Sequence, residues 1–231
     1  MQRVKLAFVG LVAALGVLAL TGCQANPDRA ASVGNVSITH ADVDSAVAAI
    51  EADAAKAQQN LPPEARGNAR QLIVGLTVFN ELARRYAKER GISIPAADYE
   101  ATASQIGLPA SDPYVRLSAD AQAARQTLMA GAKPGTPTEA DYQETYDRYK
   151  ALAGAQAASY EEVKPELAKL PEFINGIWLR DELTAAADRY GLQVNPRYAP
   201  LSVPLTALSN DQLVIVSLPL GKQGTGAVRD L

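Results

Sequence analysis

The residue types that carry out covalent or metal chemistry are almost missing from this chain. Its 231 residues include one cysteine, Cys23, and one histidine, His40. Nucleophilic catalysis needs a base beside the nucleophile, and a zinc site needs several converging cysteine, histidine or carboxylate ligands. His40 stands at a predicted helix start, where we expect a solvated or helix-start role. The sequence therefore predicts a protein that is not an enzyme and that has no metal site and no cofactor.

Two further patterns resemble chemistry and have simpler explanations. The carboxylate pairs Asp98/Glu100 and Glu161/Glu162 stand at predicted helix starts, where acidic side chains interact favourably with the helix dipole. The glycine-rich stretch that begins with Gly221-Lys222 lacks the spacing of a phosphate-binding loop and has no helix after it. We interpret that stretch as a flexible tail.

Cys23 follows a segment that reads as a secretory signal. Arg3 and Lys5 precede an apolar run from Leu6 to Leu20, and small residues come next. The stretch 20–23, Leu-Thr-Gly-Cys, resembles the lipobox of bacterial lipoproteins. This resemblance implies that residues 1–22 are removed and that Cys23 carries lipid, including acyl groups such as palmitate. The alternative is an ordinary signal peptide with an incidental cysteine.

Composition bounds the partners. Of 22 basic and 25 acidic residues, the leader contains two basic and no acidic ones, so the mature chain has a net charge of about −5. A basic nucleic-acid footprint is absent. Charge attraction is not expected to hold this body on an anionic membrane, so lipid on Cys23 must do so. We therefore expect a protein anchored on the extracytoplasmic face of the cell membrane.

Hydrophobic periodicity predicts a mostly α-helical fold with short β-strands near both ends. The predicted helices cover residues 40–60, 64–90, 96–106, 118–130, 139–149 and 160–190, the last bent or divided at Pro171. Capping residues mark three of the starts: Thr39 with Asp42, Thr138 with Asp141, and Ser159 with Glu162. We further expect the strands around Val36 and Val194 to pair with each other and so to bring the two ends of the body together.

Several segments, in this order, resemble the SurA and PrsA extracytoplasmic chaperones. Residues 33–39, Val-Gly-Asn-Val-Ser-Ile-Thr, and then 41–44, Ala-Asp-Val-Asp, resemble their N-terminal signature. The stretch 138–146 resembles the helix before their isomerase domain. Residues 160–167, the long helix and 193–198 resemble their returning C-terminal part. The resemblance covers most of residues 32–198 and implies a SurA-like helical core after a lipidated tether, 23–31. Residues 199–231 would form an extension with one strand, 213–218, and the tail.

The chain departs from that family where the parvulin prolyl isomerase domain commonly stands. Nine residues separate Tyr149 from Ser159 here, whereas a domain needs roughly a hundred. Parvulin chemistry typically includes paired histidines, and this chain has one histidine. The resemblance therefore implies a chaperone core without isomerase activity, which binds unfolded or extended polypeptides in an apolar cradle.

These observations predict an ATP-independent chaperone that holds secreted clients. The expected groove lies between the first two helices and the long C-terminal helix, with Leu76, Phe79, Phe173, Ile177 and Trp178 as candidate binding residues. The alternative for each of these residues is a closed core. The other function class is a scaffold lipoprotein that binds one specific envelope partner, which residues 200–218 beyond the predicted core favour. The sequence leaves the clients and the oligomeric state open.

Overall fold

The computed structural model describes residues 28–56, 63–208 and 213–221. This part of the chain is mostly helical with short strands near its ends, which confirms the coarse prediction of a mostly α-helical fold with such strands. Its helices are α1 His40–Lys56, α2 Pro63–Glu89, α3 Tyr99–Ile106, α4 Pro113–Ala130, α5 Glu139–Ala153, α6 Tyr160–Leu167 and α7 Pro171–Arg189. Its strands are β1 Arg29–Val33, β2 Val36–Thr39, β3 Gln193–Val194, β4 Leu201–Leu208 and β5 Leu213–Leu220.

The predicted capping residues start three helices. The Thr39 backbone amide donates to the Asp42 carboxylate at 2.9 Å, and the Asp42 amide donates back to the Thr39 hydroxyl at 3.1 Å. The same reciprocal pattern joins Thr138 to Asp141 at the start of α5, and Ser159 is paired with Glu162 at the start of α6. Each pair satisfies two amide groups that have no partner inside the helix.

The starts of α3 and α4 differ from prediction because of local caps. The helix predicted from residue 96 begins at Tyr99, since the Asp98 carboxylate accepts from the Ala101 amide. The helix predicted from residue 118 begins five residues earlier, at Pro113, where Asp112 is the N-cap. The predicted division of the last helical stretch at Pro171 is confirmed, because Pro171 begins α7 after a break that follows α6.

The two ends of the body meet in a three-stranded sheet of order β2–β1–β3. Ala31 of β1 pairs with Ile38 of β2 on one side and with Val194 of β3 on the other. This confirms that the two ends come together, but it corrects the predicted pairing, because β1 lies between the strands of Val36 and Val194. The tether predicted to run to residue 31 is too long, because β1 begins at Arg29 and its Ala30 is fully buried.

The extension predicted beyond residue 198 is part of the same core, which corrects the prediction. It contains two antiparallel strands, β4 and β5, where only 213–218 was predicted as strand. Leu201, Val203 and Leu205 alternate with exposed residues and are buried. The hairpin packs on α7, α5 and α2, and the buried Thr145 hydroxyl of α5 donates to the Ile215 carbonyl at 2.8 Å. The predicted tail from residue 222 onward lies outside the described residues.

Candidate functional site

Four of the five residues predicted to line a groove belong to the closed core. The exposed fractions are 9% for Leu76, 0% for Phe79, 0% for Phe173 and 2% for Ile177. Trp178 is half-buried and packs against the same core. A client cannot reach the four buried side chains without opening the protein, so the predicted groove is wrong for them.

The β4–β5 hairpin is what fills the expected groove. A Cβ added to Gly75 of α2 would lie 3.4 Å from the Val203 side chain of β4. A Cβ on Gly176 of α7 would lie 2.9 Å from the Thr206 hydroxyl and 3.0 Å from the Val216 side chain. These two glycines let α2 and α7 approach the hairpin closely. The hairpin therefore occupies the space where a client was expected.

A different opening lies on the other side of α2, with a volume of about 670 Å³. We call it the α2–α4 cleft. It lies between strand β2, helix α2, the segment 92–95 that follows α2, and helix α4. Its lining residues are Val36, Ile38, Thr77, Asn80, Glu81, Arg84, Ala87, Lys88, Ile92, Ile94, Pro95, Leu117, Asp120, Ala123 and Ala124.

The walls of the α2–α4 cleft are mainly aliphatic and partly open to solvent. Ile92 and Ile94 are half-buried and alternate with exposed Gly91 and Ser93. Leu117 of α4 is also half-buried, and its carbonyl accepts from the Asn80 amide at 3.0 Å, which joins α4 to α2. The sequence contained a signal for this wall, because Ile92-Ser93-Ile94 has the alternation of a half-buried extended segment.

Charged groups stand on one rim of the cleft. The Glu81 carboxylate, nearly buried, forms ion pairs with both Arg84 and Arg85 on the next turn of α2. Arg85 also donates to the Asn35 side chain at 2.6 Å, which ties α2 to the turn before β2. Lys88 is exposed one turn further along. The cleft therefore has apolar walls and a cationic rim.

The opposite wall carries a second acidic group. The Tyr99 hydroxyl donates to the Asp120 carboxylate at 3.0 Å, and this hydrogen bond raises the pKa of Tyr99. The Arg116 guanidinium lies over the same ring, 4.9 Å from its centre. The Asp120 charge therefore lies in a small polar network that joins α3 to α4.

His40 begins α1, as predicted, and it makes a long-range contact that the sequence did not indicate. Its Nδ1 lies 2.7 Å from the Tyr198 hydroxyl, and the two rings are stacked with centres 5.5 Å apart. Burial raises the pKa of Tyr198. The adjoining polar pocket has a volume of about 490 Å³ and contains the Arg70–Asp44 ion pair, whose atoms are 2.8 Å apart. Its lining residues include no serine, threonine or cysteine. The His40–Tyr198 contact links α1 to the segment after β3.

Within residues 28–56, 63–208 and 213–221, no group of three histidine, cysteine, aspartate or glutamate side chains converges to hold a metal ion. In the same ranges, no helix combines the length and the apolar character needed to cross a bilayer. Cys23, the predicted lipidation site, lies outside the described residues. Comparison with models of known protein families, with curated proteins and with solved structures finds no match for this chain.

Proposed function

We propose that this chain is a lipid-anchored protein of the bacterial cell envelope that holds extended apolar segments of unfolded polypeptides in the α2–α4 cleft. It would do so without ATP and without prolyl isomerase activity. The observation that carries the proposal is the open, mainly aliphatic cleft of about 670 Å³. Ligand sites of proteins typically have volumes of about 300–1,000 Å³ and mostly apolar walls.

The composition of the cleft suits transient holding. Each aliphatic client side chain that leaves water contributes about 1.5–3 kcal/mol, and ordering an unfolded segment offsets part of that gain. Two or three such side chains would give weak, reversible binding. Because aliphatic walls recognise apolar character more than shape, many client sequences would fit.

The resemblance to the SurA and PrsA chaperones is part of the same proposal. The short strands, the capped first helix and the long returning helix suit a core of that kind, here without the catalytic insert. Lipid on Cys23 would keep the body near the membrane, because five residues, 24–28, connect Cys23 to Arg29, a reach of roughly 20 Å at most. The cleft would then stand where exported chains emerge.

Suppression of aggregation tests the proposal. The full chain in neutral-lipid nanodiscs is mixed with a chemically unfolded test protein, and light scattering is followed after dilution. We expect suppression by the wild type and its loss in Ile94→Asp, which places a charge in the cleft. Leu152→Asp is the matched control, because Leu152 is 56% exposed and lies outside the cleft. No suppression at several-fold excess of the wild type would contradict the proposal.

Lipidation has its own test. In a bacterial host, the wild type should incorporate labelled palmitate and sediment with membranes, and Cys23→Ser should do neither. Incorporation that persists in Cys23→Ser would place the lipid elsewhere.

A scaffold for one envelope partner remains the other function class. The described residues of 200–218, which favoured it, form the β4–β5 hairpin, whose inward-facing side chains are packed in the core. Capture from solubilised membranes separates the two, since a scaffold yields one stoichiometric partner and a chaperone yields many weak clients.

A further inference from the structure

Strand β2 is an edge strand that borders the α2–α4 cleft. In the described three-stranded sheet, β2 pairs with β1 on one side only. An edge strand presents backbone amide and carbonyl groups that can pair with another chain. Val36 and Ile38 of this strand line the cleft, so its edge and the apolar cavity are contiguous.

The register identifies which backbone groups point away from β1. Val33 and Val36 close a two-residue turn, so they form a hydrogen-bonded pair, as do Ala31 and Ile38 two positions on. Ser37 lies between them, opposite Ser32, in a pair whose members do not bond to each other. The other side of β1 agrees, because the Asn195 amide donates to the Ala30 carbonyl at 2.9 Å, so the backbone groups of Ala30 and Ser32 point toward β3. The amide and the carbonyl of Ser37 therefore face the free edge.

Side chains added along this edge would alternate between the cleft and solvent. Val36 and Ile38 occupy one face of β2, and the Ser37 side chain is exposed on the other. An extended peptide in register with β2 would direct every second side chain toward the floor formed by Leu117 and the half-buried isoleucines of segment 92–95. Backbone pairing would supply affinity for any sequence, and the floor would select aliphatic residues at alternate positions.

Charge complementarity points to the kind of client. Glu81 is compensated by two arginines, and Asp120 accepts the Tyr99 hydrogen bond. Lys88 lines the cleft, is exposed, and has no ion-pair partner among the described residues. An acidic side chain beside the apolar positions of the client would meet this ammonium group.

We propose that the cleft binds its clients by strand addition: an extended segment with aliphatic residues at alternate positions and a neighbouring acidic residue pairs with the free edge of β2. This inference rests on the proposed function and specifies its client class. It requires the Ser37 backbone amide, which the sheet of the free protein does not use.

Replacement of Ser37 tests the inference directly. Ser37→Pro removes the amide hydrogen on the free side and leaves the pairing with β1 intact, since proline is tolerated at an edge position. Ser37→Ala is the matched control, because it keeps the amide. The probe is a labelled octapeptide of alternating valine and serine with a terminal aspartate, titrated by fluorescence anisotropy against the full chain in neutral-lipid nanodiscs. We expect at least a tenfold loss of affinity in Ser37→Pro and less than a twofold change in Ser37→Ala.

Backbone pairing between the client and β2 is also tested by changing the client, so that a folding defect in Ser37→Pro does not decide the result. N-methylation of the probe on the backbone edge that faces β2 should weaken binding at least tenfold, and N-methylation on the opposite edge should leave it within about twofold. Equal binding of all three probes would overturn strand addition. Lys88→Ala should weaken the aspartate-containing probe several-fold and leave an asparagine analogue unchanged.

Three outcomes distinguish strand addition from the holding function alone and from the binding of a second copy of this chain. Probe binding that Ile94→Asp abolishes but Ser37→Pro and N-methylation leave unchanged would overturn strand addition and support the holding function. Absence of both binding and aggregation suppression in the wild type would overturn both. A dimer in light scattering that Ser37→Pro dissociates would assign the edge to a second copy of this chain and overturn the client assignment.

Discussion

Helix α2 has one side that is buried in the core and another that lines an open cleft. On one side Phe79 and Leu82 are fully buried, and Gly75 touches the β4–β5 hairpin. On the other side Thr77 and Lys88 line the open α2–α4 cleft. At about 100° per residue, these two sets point in roughly opposite directions from the helix axis. One helix thus belongs to a sealed core and to a candidate binding site.

The difference teaches that apolar character alone does not make a binding surface. The sealed side is closed by a hairpin that comes from more than 120 residues later in the chain, whereas the cleft is partly open to solvent. The sealed side should therefore govern stability, and the open side should govern binding. Four predictions test this division, beginning with the largest expected effect.

Truncation on each side should have unequal costs. Phe79→Ala should lower the free energy of unfolding by about 3–5 kcal/mol, because it leaves a cavity in the sealed core. Leu117→Ala, in the half-buried wall of the cleft, should cost about 1 kcal/mol. Urea unfolding followed by circular dichroism measures both. Similar costs would mean that the cleft is closed in solution.

The buried pair that fastens α5 to α7 beside the hairpin should contribute the next largest effect. Burial raises the pKa of Asp141, but hydrogen bonds from Arg180 and Thr138 lower it by a larger amount. The pKa of Asp141 therefore lies below its usual value. Asp141→Asn should cost about 2 kcal/mol at pH 7, because it removes a charge-assisted hydrogen bond.

The pH dependence of that loss has a definite sign. A carboxylate with a lowered pKa stabilises the folded state above its unfolded pKa, about 3.9, and loses that contribution as the pH falls through the folded value. The difference between wild type and Asp141→Asn should therefore be constant above about pH 5 and shrink below pH 4. Asp181→Asn, which removes the more exposed partner of Arg180, serves as the control.

Alanine substitutions at two helical glycines compare a tightly packed position with an open one. In Gly176→Ala the new methyl group would meet the hairpin at 2.9–3.2 Å, so we expect a loss of about 1–3 kcal/mol from overpacking. Gly67→Ala of α2 has no atom within 4 Å and should instead stabilise the protein by up to about 1 kcal/mol. Thermal melting of both variants provides the measurement, and a stabilised Gly176→Ala would contradict a tightly sealed contact.

The smallest effect is expected where α4, a wall of the cleft, begins. Burial is the main cause that raises the pKa of Asp112, and the Asp53 carboxylate of α1 adds to it. A raised pKa means that the ionised form is unfavourable in the folded state, so stability is lost as the pH rises through the folded pKa. Asp112→Asn keeps a good N-cap and should stabilise the protein by up to about 1 kcal/mol at pH 7.

The advantage of Asp112→Asn should diminish toward pH 4, where the wild-type carboxyl group is increasingly protonated. Asp98→Asn is the matched control, because Asp98 caps α3 in an exposed position. Urea midpoints at several pH values measure both, and a destabilised Asp112→Asn would show that the ionised cap is favourable.

Local signals in the sequence predicted much of the fold. The capping pairs at Thr39, Thr138 and Ser159 involve residues three positions apart, so their geometry depends little on the rest of the protein. The caps at Asp98 and Asp112 are equally local and could have been predicted from an aspartate before a helix, in the second case with Pro113 at the first helical position.

The candidate site could be predicted only in part. Apolar periodicity correctly indicates that Phe79 and Phe173 face inward, but periodicity does not say whether the neighbour is a client or another part of the chain. The strand around Leu205 went unpredicted because Pro204 interrupts its pattern, and this strand is what closes the expected groove.

By itself, the sequence determined the helices, their caps, the scarcity of catalytic side chains and the pattern around Cys23, because these depend on neighbouring residues or on composition. Only the tertiary structure decided which side of α2 is sealed, that His40 meets Tyr198, and that the edge of β2 borders a cleft. Such contacts join residues far apart in the chain, and their formation depends on how the whole body packs rather than on any local preference.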